Sequence, residues 1–221
     1  MGYTGIESVV QGNSAKCIEA CFKVHFPNAE TVADLTYGKG RFWNWNHNLD
    51  IVGLDVEPSG GASILSDYRN VPLKDKSVDV AVFDPPFIFS PGLRGIVGAK
   101  RFFLGPKDAE QRFYSGADRQ DLRILAPRNA DDLHKQTVDV VREMIRIAKC
   151  GMILKGQDLI TSQHPNWWTY RVMKDIWAFY GPMPEDMLIQ VSPAARLADP
   201  RWKHQYHFRR RHAIYLVYKF S

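Results

Sequence analysis

Residues 77–83 read SVDVAVF and run directly into Asp84-Pro85-Pro86-Phe87. A strand that is apolar at nearly every later position has no face to offer water, so it belongs inside a sheet covered on both sides. Such sheets are built mostly from parallel strands, with helices packed above and below. The proline pair stops the strand abruptly, because each ring fixes φ and removes a backbone donor. One segment thus commits the chain to a buried parallel strand that ends in a stiff corner.

The flanking pattern points the same way. An amphipathic helix is expected over 14–26, with Ser14 as its cap and Pro27 as its stop. Strands are expected at 31–36, 50–55, 63–66, 77–83, 150–155, 186–191 and 212–220, and a helix starts at 41–46. Two longer helices are expected at 131–148, with Val138, Val141, Ile145 and Ala148 on one stripe, and at 165–180. In the latter, Trp167, Trp168, Tyr170 and Trp177 read as helix core rather than as stacking platforms. In the last strand Ile214, Leu216, Tyr218 and Phe220 alternate with Ala213, Tyr215, Val217 and Lys219. The order gives an α/β fold with a mostly parallel, seven-stranded sheet, an antiparallel late strand and a long insertion after the fourth strand. The 221 residues suffice for one domain, 1–221, in which 88–129 is an insertion rich in Gly, Pro and basic residues.

Charge is concentrated rather than spread. The net charge is +5, but residues 88–128 hold eight Lys/Arg against four Asp/Glu, and residues 196–212 hold six against one Asp. Two basic segments make a footprint for phosphates. The three cysteines, Cys17, Cys21 and Cys150, have no partners at zinc spacing and no secretory signal beside them, so reduced thiols are expected. His204, His207 and His212 read as surface or phosphate-side residues, not metal ligands. No apolar run reaches the about 18 residues that a membrane span needs, and a soluble, cytoplasmic protein of a bacterial or phage-infected cell is expected.

The first βα turn is Asp34-Leu35-Thr36-Tyr37-Gly38-Lys39-Gly40. In open α/β sheets ligands sit beyond the carboxyl ends of the strands, and glycines there allow positive φ and close backbone approach. The dinucleotide fingerprint needs a third glycine where this chain has Trp43, and no Walker sequence is present. NAD and ATP therefore lose support. Asp55 closes the second strand, where a carboxylate accepts hydrogen bonds from a ribose, and Asp67 follows the third. Asp79, inside the fourth strand, reads as structural.

The Asp84–Phe87 corner suits work on an amino group. An aromatic exocyclic amine is a poor nucleophile because its lone pair is delocalised into the ring. Two acceptors, Asp84 Oδ and the Pro85 carbonyl, would hold its two N–H bonds and favour a pyramidal nitrogen with a usable lone pair. Catalysis then comes from positioning and preorganised electrostatics. A base inside a duplex must be flipped out to reach such a site, and Phe87 offers a face for it to stack on.

Together, Asp34-x-x-x-Gly38-x-Gly40, Asp55 and Asp84-Pro85-Pro86-Phe87 resemble the motifs of class I S-adenosylmethionine-dependent methyltransferases that modify amino groups of nucleic-acid bases. The aspartate at the head of the fourth motif, and the run Arg209-Arg210-Arg211-His212, are similar to small phage- and plasmid-type DNA N6-adenine enzymes. The resemblance covers about the first 90 residues closely and the last strands loosely. It implies a Rossmann-like fold, S-adenosylmethionine as cofactor with S-adenosylhomocysteine as product, and no metal. It also implies cofactor contacts from Asp34, Thr36, Gly38, Gly40, Asp55, Asp67 and Asp84, and catalysis by Asp84, Pro85, Pro86 and Phe87. DNA is the expected partner, met by Arg94, Lys100, Arg101, Lys155, Gln157, Arg209, Arg210 and Arg211. No cysteine follows a proline, which excludes the cytosine-C5 chemistry of the wider family. The chain departs from its larger members in having no separate target-recognition domain. Recognition falls to 88–129, 157–165 and 196–212, or to a second copy or specificity subunit. Methylation of an RNA adenine or guanine amine, a non-catalytic nucleic-acid-binding subunit, and a small-molecule methyltransferase remain open.

Overall fold

A computed structural model describes residues 5–56, 60–85, 127, 129–161, 164–191 and 211–220. Its elements are β1 (Val9–Gln11), α1 (Ser14–His25), β2 (Thr31–Asp34), a 3-10 turn (Arg41–Trp43), β3 (Asp50–Asp55), β4 (Ile64–Leu65) and β5 (Val78–Phe83). These are followed by α2 (Ala130–Ile147), β6 (Ala148–Gly156), the hairpin strands β7 (Leu159–Thr161) and β8 (His164–Asn166), α3 (Trp168–Tyr180), β9 (Asp186–Val191) and β10 (His212–Lys219).

One sheet has the order β1-β9-β10-β6-β5-β2-β3-β4. Strands β4, β3, β2, β5 and β6 are parallel neighbours, whereas β10 runs antiparallel to both β6 and β9. This is a Rossmann-like α/β fold, mostly parallel, with the reversed late strand that was expected. It has eight strands rather than seven, because β1 adds to the edge beside β9, from Val9↔Ile189 to Gln11↔Val191. Three residues are too few to show a period in sequence; β1 exists because β9 has an edge to pair. From β2 the chain steps outward to β3 and β4 on one side and later to β5 and β6 on the other. The carboxyl ends of β2 and β5 therefore flank a topological switch point, where such sheets bind ligands.

The two faces of the sheet are both dry. On one, α1 packs Cys17, Ile18, Cys21 and Phe22 against Val32, Val80, Val82, Ile153, Tyr215 and Val217. On the other, α2 and α3 cover Ala81, Phe83, Met152, Leu154, Ile214, Leu216 and Tyr218. Successive residues of β5, β6 and β10 enter opposite cores, so these strands are apolar throughout. Each fully buried Val, Leu or Ile contributes about 1.5–3 kcal/mol of transfer free energy. No described helix is long and apolar enough to cross a membrane.

Several local expectations are corrected. The cap of α1 is Asn13, whose side chain accepts from Lys16 N at 3.1 Å, and Ser14 is the first helical residue. Residues 41–46 yield only the 3-10 turn, in which Phe42 and Trp43 turn inward. Residues 164–166 pair with 159–161 as a hairpin, so α3 begins at Trp168. Of its aromatics only Trp168 is core, at 1% exposed; Trp167, Tyr170 and Trp177 face outward. Asp79 is structural as expected. Its Oδ2 accepts from Glu30 N, Thr31 N and Thr31 Oγ1, and its Oδ1 from Lys149 Nζ. Burial would raise this carboxyl, but those donors outweigh it and hold it at about 2.

Candidate active site

Asp84 and Pro85 meet the glycine turn at the carboxyl edge of the sheet. Asp84 follows β5 and its N–H donates to Thr36 Oγ1 at 2.7 Å, while Leu35 N donates to Val82 O at 2.9 Å. These two bonds staple the β2 turn to the end of β5. Pro85 is buried directly behind Asp84. Asp84 keeps 24% of its side chain exposed, and Lys155 Nζ, from the end of β6, bonds its Oδ2 at 2.7 Å. Among the described residues Asp84 Oδ1 has no hydrogen-bond partner. Burial pushes the Asp84 carboxyl above its ordinary range, while the charge and hydrogen bond of Lys155 pull it back.

The turn is built by its own aromatics as much as by its glycines. Gly38 and Gly40 adopt positive φ, 52° and 63°. A side chain at Gly40 would meet the Tyr37 hydroxyl at 2.6 Å, and one at Gly53 of β3 would meet the same ring. The Tyr37 ring thus lies over two glycines. Gly60 packs its backbone on Gly38, where a Cβ would come within 2.0 Å of the Gly38 carbonyl oxygen. Trp43, standing where a dinucleotide fold has glycine, donates its indole N–H to Asp34 Oδ2 at 2.8 Å.

Besides Asp84, the three acids expected to meet a cofactor are held in different ways. Asp34 is 2% exposed and turned inward, its Oδ1 accepting from Thr36 N at 3.1 Å and its Oδ2 from Trp43. Burial pushes it up to about 7, against the Trp43 and Thr36 donors, with Asp84 and Asp55 adding like charge. Asp55 caps the turn, its Oδ2 accepting from Gly38 N at 2.7 Å. Asp67 is gripped by Arg69, which reaches both carboxylate oxygens through Nε and Nη2 and one through its backbone N–H. Burial acts to raise Asp67, and Arg69 overrides it to leave the carboxyl below its ordinary range. Of the six cofactor positions in the β2–β4 region, Thr36, Gly38, Asp34 and Asp55 form one cluster, while Gly40 supports Tyr37 and Asp67 pairs locally.

The residues expected to touch nucleic acid divide as well. Lys155 is directed at Asp84 rather than at solvent, with only 13% of its side chain exposed. Gln157 is buried and donates Nε2–H to His212 O at 2.7 Å, tying the end of β6 to β10. Arg211 is exposed at the start of β10. Pro86, Phe87, Arg94, Lys100, Arg101, Arg209 and Arg210 lie outside the described residues. Sequence reasoning missed Trp43 as the partner of Asp34, and missed Ser14, Gln190 and Tyr215 around Lys155. The Trp43 departure from the glycine pattern was the one available signal; the others are joined only through the fold.

The sequence matches no family model and no curated protein. Solved structures with a similar course of the chain include a magnesium protoporphyrin IX methyltransferase from Synechocystis PCC 6803 with bound SAM. It is 9% identical, with a TM-score of 0.49, over 94% of this chain and 79% of that one. A SAM-dependent methyltransferase from Aquifex aeolicus is 11% identical, with a TM-score of 0.42, over 94% of this chain and 98% of that one. A protein described as a putative rRNA-methylase from Clostridium thermocellum is 12% identical, with a TM-score of 0.46, over 95% of this chain and 98% of that one. These likenesses are faint, and what those proteins bind or modify is said of them alone.

Proposed function

We propose that this chain is an S-adenosylmethionine-dependent methyltransferase acting on an exocyclic amine of a nucleic-acid base, N6 of adenine in DNA. The observation that carries this reading is Asp84. It stands at the switch point of the sheet, bonded through its N–H to the glycine turn, with one carboxylate oxygen engaged by Lys155 and the other without a partner among the described residues. With 24% of its side chain exposed, Asp84 can present that oxygen to an incoming donor, and an aromatic amine brings one.

The residues around Asp84 fit the cofactor. S-adenosylmethionine carries a sulfonium cation and supplies an electrophilic methyl group when bound. Asp84 and Asp55 give this edge the negative potential that a cation favours. Asp55, at the end of β3, is the carboxylate placed for ribose hydroxyls; an oxygen that caps Gly38 still has a lone pair to accept with. A Cβ on Gly38 would meet nothing nearer than Thr36 O at 3.9 Å, so a ligand can approach the main chain there. Asp84 Oδ1 and the Pro85 carbonyl would each take one N–H of the amine and align its lone pair. Residues 88–129 and 196–212 carry the positive charge that phosphates require, so target recognition falls to them or to a partner copy.

Incubation with genomic DNA and methyl-labelled S-adenosylmethionine, followed by nucleoside mass analysis, tests this directly. N6-methyldeoxyadenosine is the expected product. Label appearing only in RNA added to a parallel reaction would move the acceptor to an RNA amine. No transfer to either, with no calorimetric binding of the cofactor, would remove the enzymatic reading.

A further inference from the structure

Lys155 is the least expected feature of this site. It ends β6 and its ammonium is enclosed: Asp84 Oδ2 lies at 2.7 Å and Ser14 Oγ at 3.3 Å. The faces of Phe42 and Tyr215 lie 5.0 and 5.9 Å from it. Ser14 reaches on to Gln190 Oε1 at 3.5 Å, and Tyr215 donates its hydroxyl to the same oxygen at 2.8 Å. Gln190 in turn donates Nε2–H to Gly12 O at 2.9 Å. The first turn of α1, the end of β9 and the middle of β10 are thereby wired to one cation, and that cation to Asp84. Because Asn13 does the capping, the Ser14 hydroxyl remains available for Lys155.

An ammonium so enclosed is poorly placed to meet a phosphate. Its two hydrogen bonds and two aromatic faces fix the Nζ position, and each such cation–ring contact adds about 0.5–1 kcal/mol or more when desolvated. What it can do is act on Asp84. Among the described residues, the titratable groups coupled to that carboxylate are Lys155 on β6, Asp34 at the end of β2 and Tyr215 on β10, with Asp55 beside Asp34 and Cys17 and Cys21 beside Tyr215. Lys155 is the one cation in that set. Without it, a buried carboxylate beside another acid takes up a proton, and a protonated Asp84 would offer the amine a donor where it needs an acceptor.

We propose that Lys155, anchored by Ser14 and the Gln190–Tyr215 pair, is a positioning residue that locks the rotamer of Asp84 and supplies its counter-charge. Its Oδ1 is thereby left as an ionised acceptor for the incoming amine. The inference rests on the methyl-transfer reading of the site, but the pairing itself is measurable without turnover. Carbon-13 NMR titration of the Asp84 carboxyl, assigned through Asp84→Asn, is compared for wild type, Lys155→Met, Lys155→Gln and Lys155→Arg. Loss of an opposite charge at this range moves a carboxyl upward by about one to three pH units. We expect that shift in Lys155→Met and Lys155→Gln and its near-absence in Lys155→Arg. Transfer of labelled methyl to adenine-containing DNA should then show a pH–kcat profile displaced to higher pH by the same amount in the neutral variants, with KM for the methyl donor unchanged. Lys155→Arg should restore the profile. An Asp84 titration indifferent to Lys155, or a loss of kcat equal at every pH, overturns the proposal. Should Lys155→Met fail to fold, the comparison rests on Lys155→Gln, a shorter neutral side chain that removes the charge while retaining an N–H donor. If the wild type transfers no methyl at all, the methyl-transfer reading fails, while the NMR shift still decides whether Lys155 governs Asp84.

Discussion

Replacing Asp34 with asparagine makes a quantitative demand on this structure. Asp34 is 2% exposed and burial raises its pKa from 3.8 to about 7. An acid whose folded pKa lies above its unfolded value holds its proton more tightly in the folded protein. Its penalty is therefore absent below pH 3.8, grows as pH rises, and is complete above about 7. A window of about three pH units at about 1.4 kcal/mol each gives a penalty of about 4 kcal/mol at pH 8. That is a large part of the 5–15 kcal/mol typical of a whole domain. Asparagine cannot ionise. It keeps one acceptor for either Trp43 or Thr36 and loses the other, at a cost of about 1 kcal/mol at every pH. The variant should therefore be less stable than wild type by about 1 kcal/mol at pH 4 and more stable by about 3 kcal/mol at pH 8. Urea unfolding followed by tryptophan fluorescence at pH 4, 6 and 8 reads this difference, in which titrating groups distant from Asp34 cancel. A difference that stays flat with pH, or that favours wild type increasingly as pH rises, would mean that Asp34 is open to water and that the turn above it is built differently.

Three further outcomes follow from the same geometry. Thr36→Val removes the acceptor of the Asp84 N–H while keeping the side-chain shape. Stability should fall by about 1–2 kcal/mol and methyl transfer by roughly tenfold or more, read by denaturant titration and by single-turnover assay. Asp84→Ala should nearly abolish transfer yet leave S-adenosylmethionine affinity, measured by calorimetry, within a few fold; equal loss of both would remove Asp84 from catalysis. Gly156→Ala places a Cβ within 1.9 Å of the Trp168 ring, which is itself 1% exposed and has nowhere to go. Overpacking of that kind costs about 1–3 kcal/mol, and a thermal midpoint equal to wild type would show that the β6–α3 contact is looser than described.

Much of the fold was legible because burial on two faces leaves a plain signature. β5 and β10 read as strands from their apolar runs, and α2 from its stripe; each spans enough residues to repeat its period. β1 and the β7–β8 hairpin were not legible, since three residues cannot display alternation, and β1 also depends on an edge made elsewhere. Pro165 reads as a helix start in sequence, yet a proline without an N–H is equally at home at a hairpin edge, and the pairing of Ile160 with Pro165 decides it. The outward aromatics of α3 misled in the opposite sense. Trp167, Tyr170 and Trp177 look like core by residue type, but Trp168, Thr169, Val172 and Ile176 are the helix's buried positions, with Met173 and Tyr180 packed beside the core.

The acids of the site show where residue type stops being informative. A carboxylate at the end of a strand has two sets of donors within reach, those of its own turn and those of a ligand, and the sequence pattern is the same for both. What separates them is the supply of local N–H groups. Asp34 finds an indole and a backbone amide, Asp67 finds a guanidinium, and both become parts of the frame. Asp84 has no such turn donors on its side chain, because the prolines that follow it have no N–H to give and its own N–H is drawn to Thr36. Its charge must be met from across the sheet by a lysine, and Ser14, which steadies that lysine, stands 141 residues away in the chain. The diproline does more than stiffen the corner: by withholding backbone donors it leaves a carboxylate oxygen open to accept a bond at the switch point of the sheet.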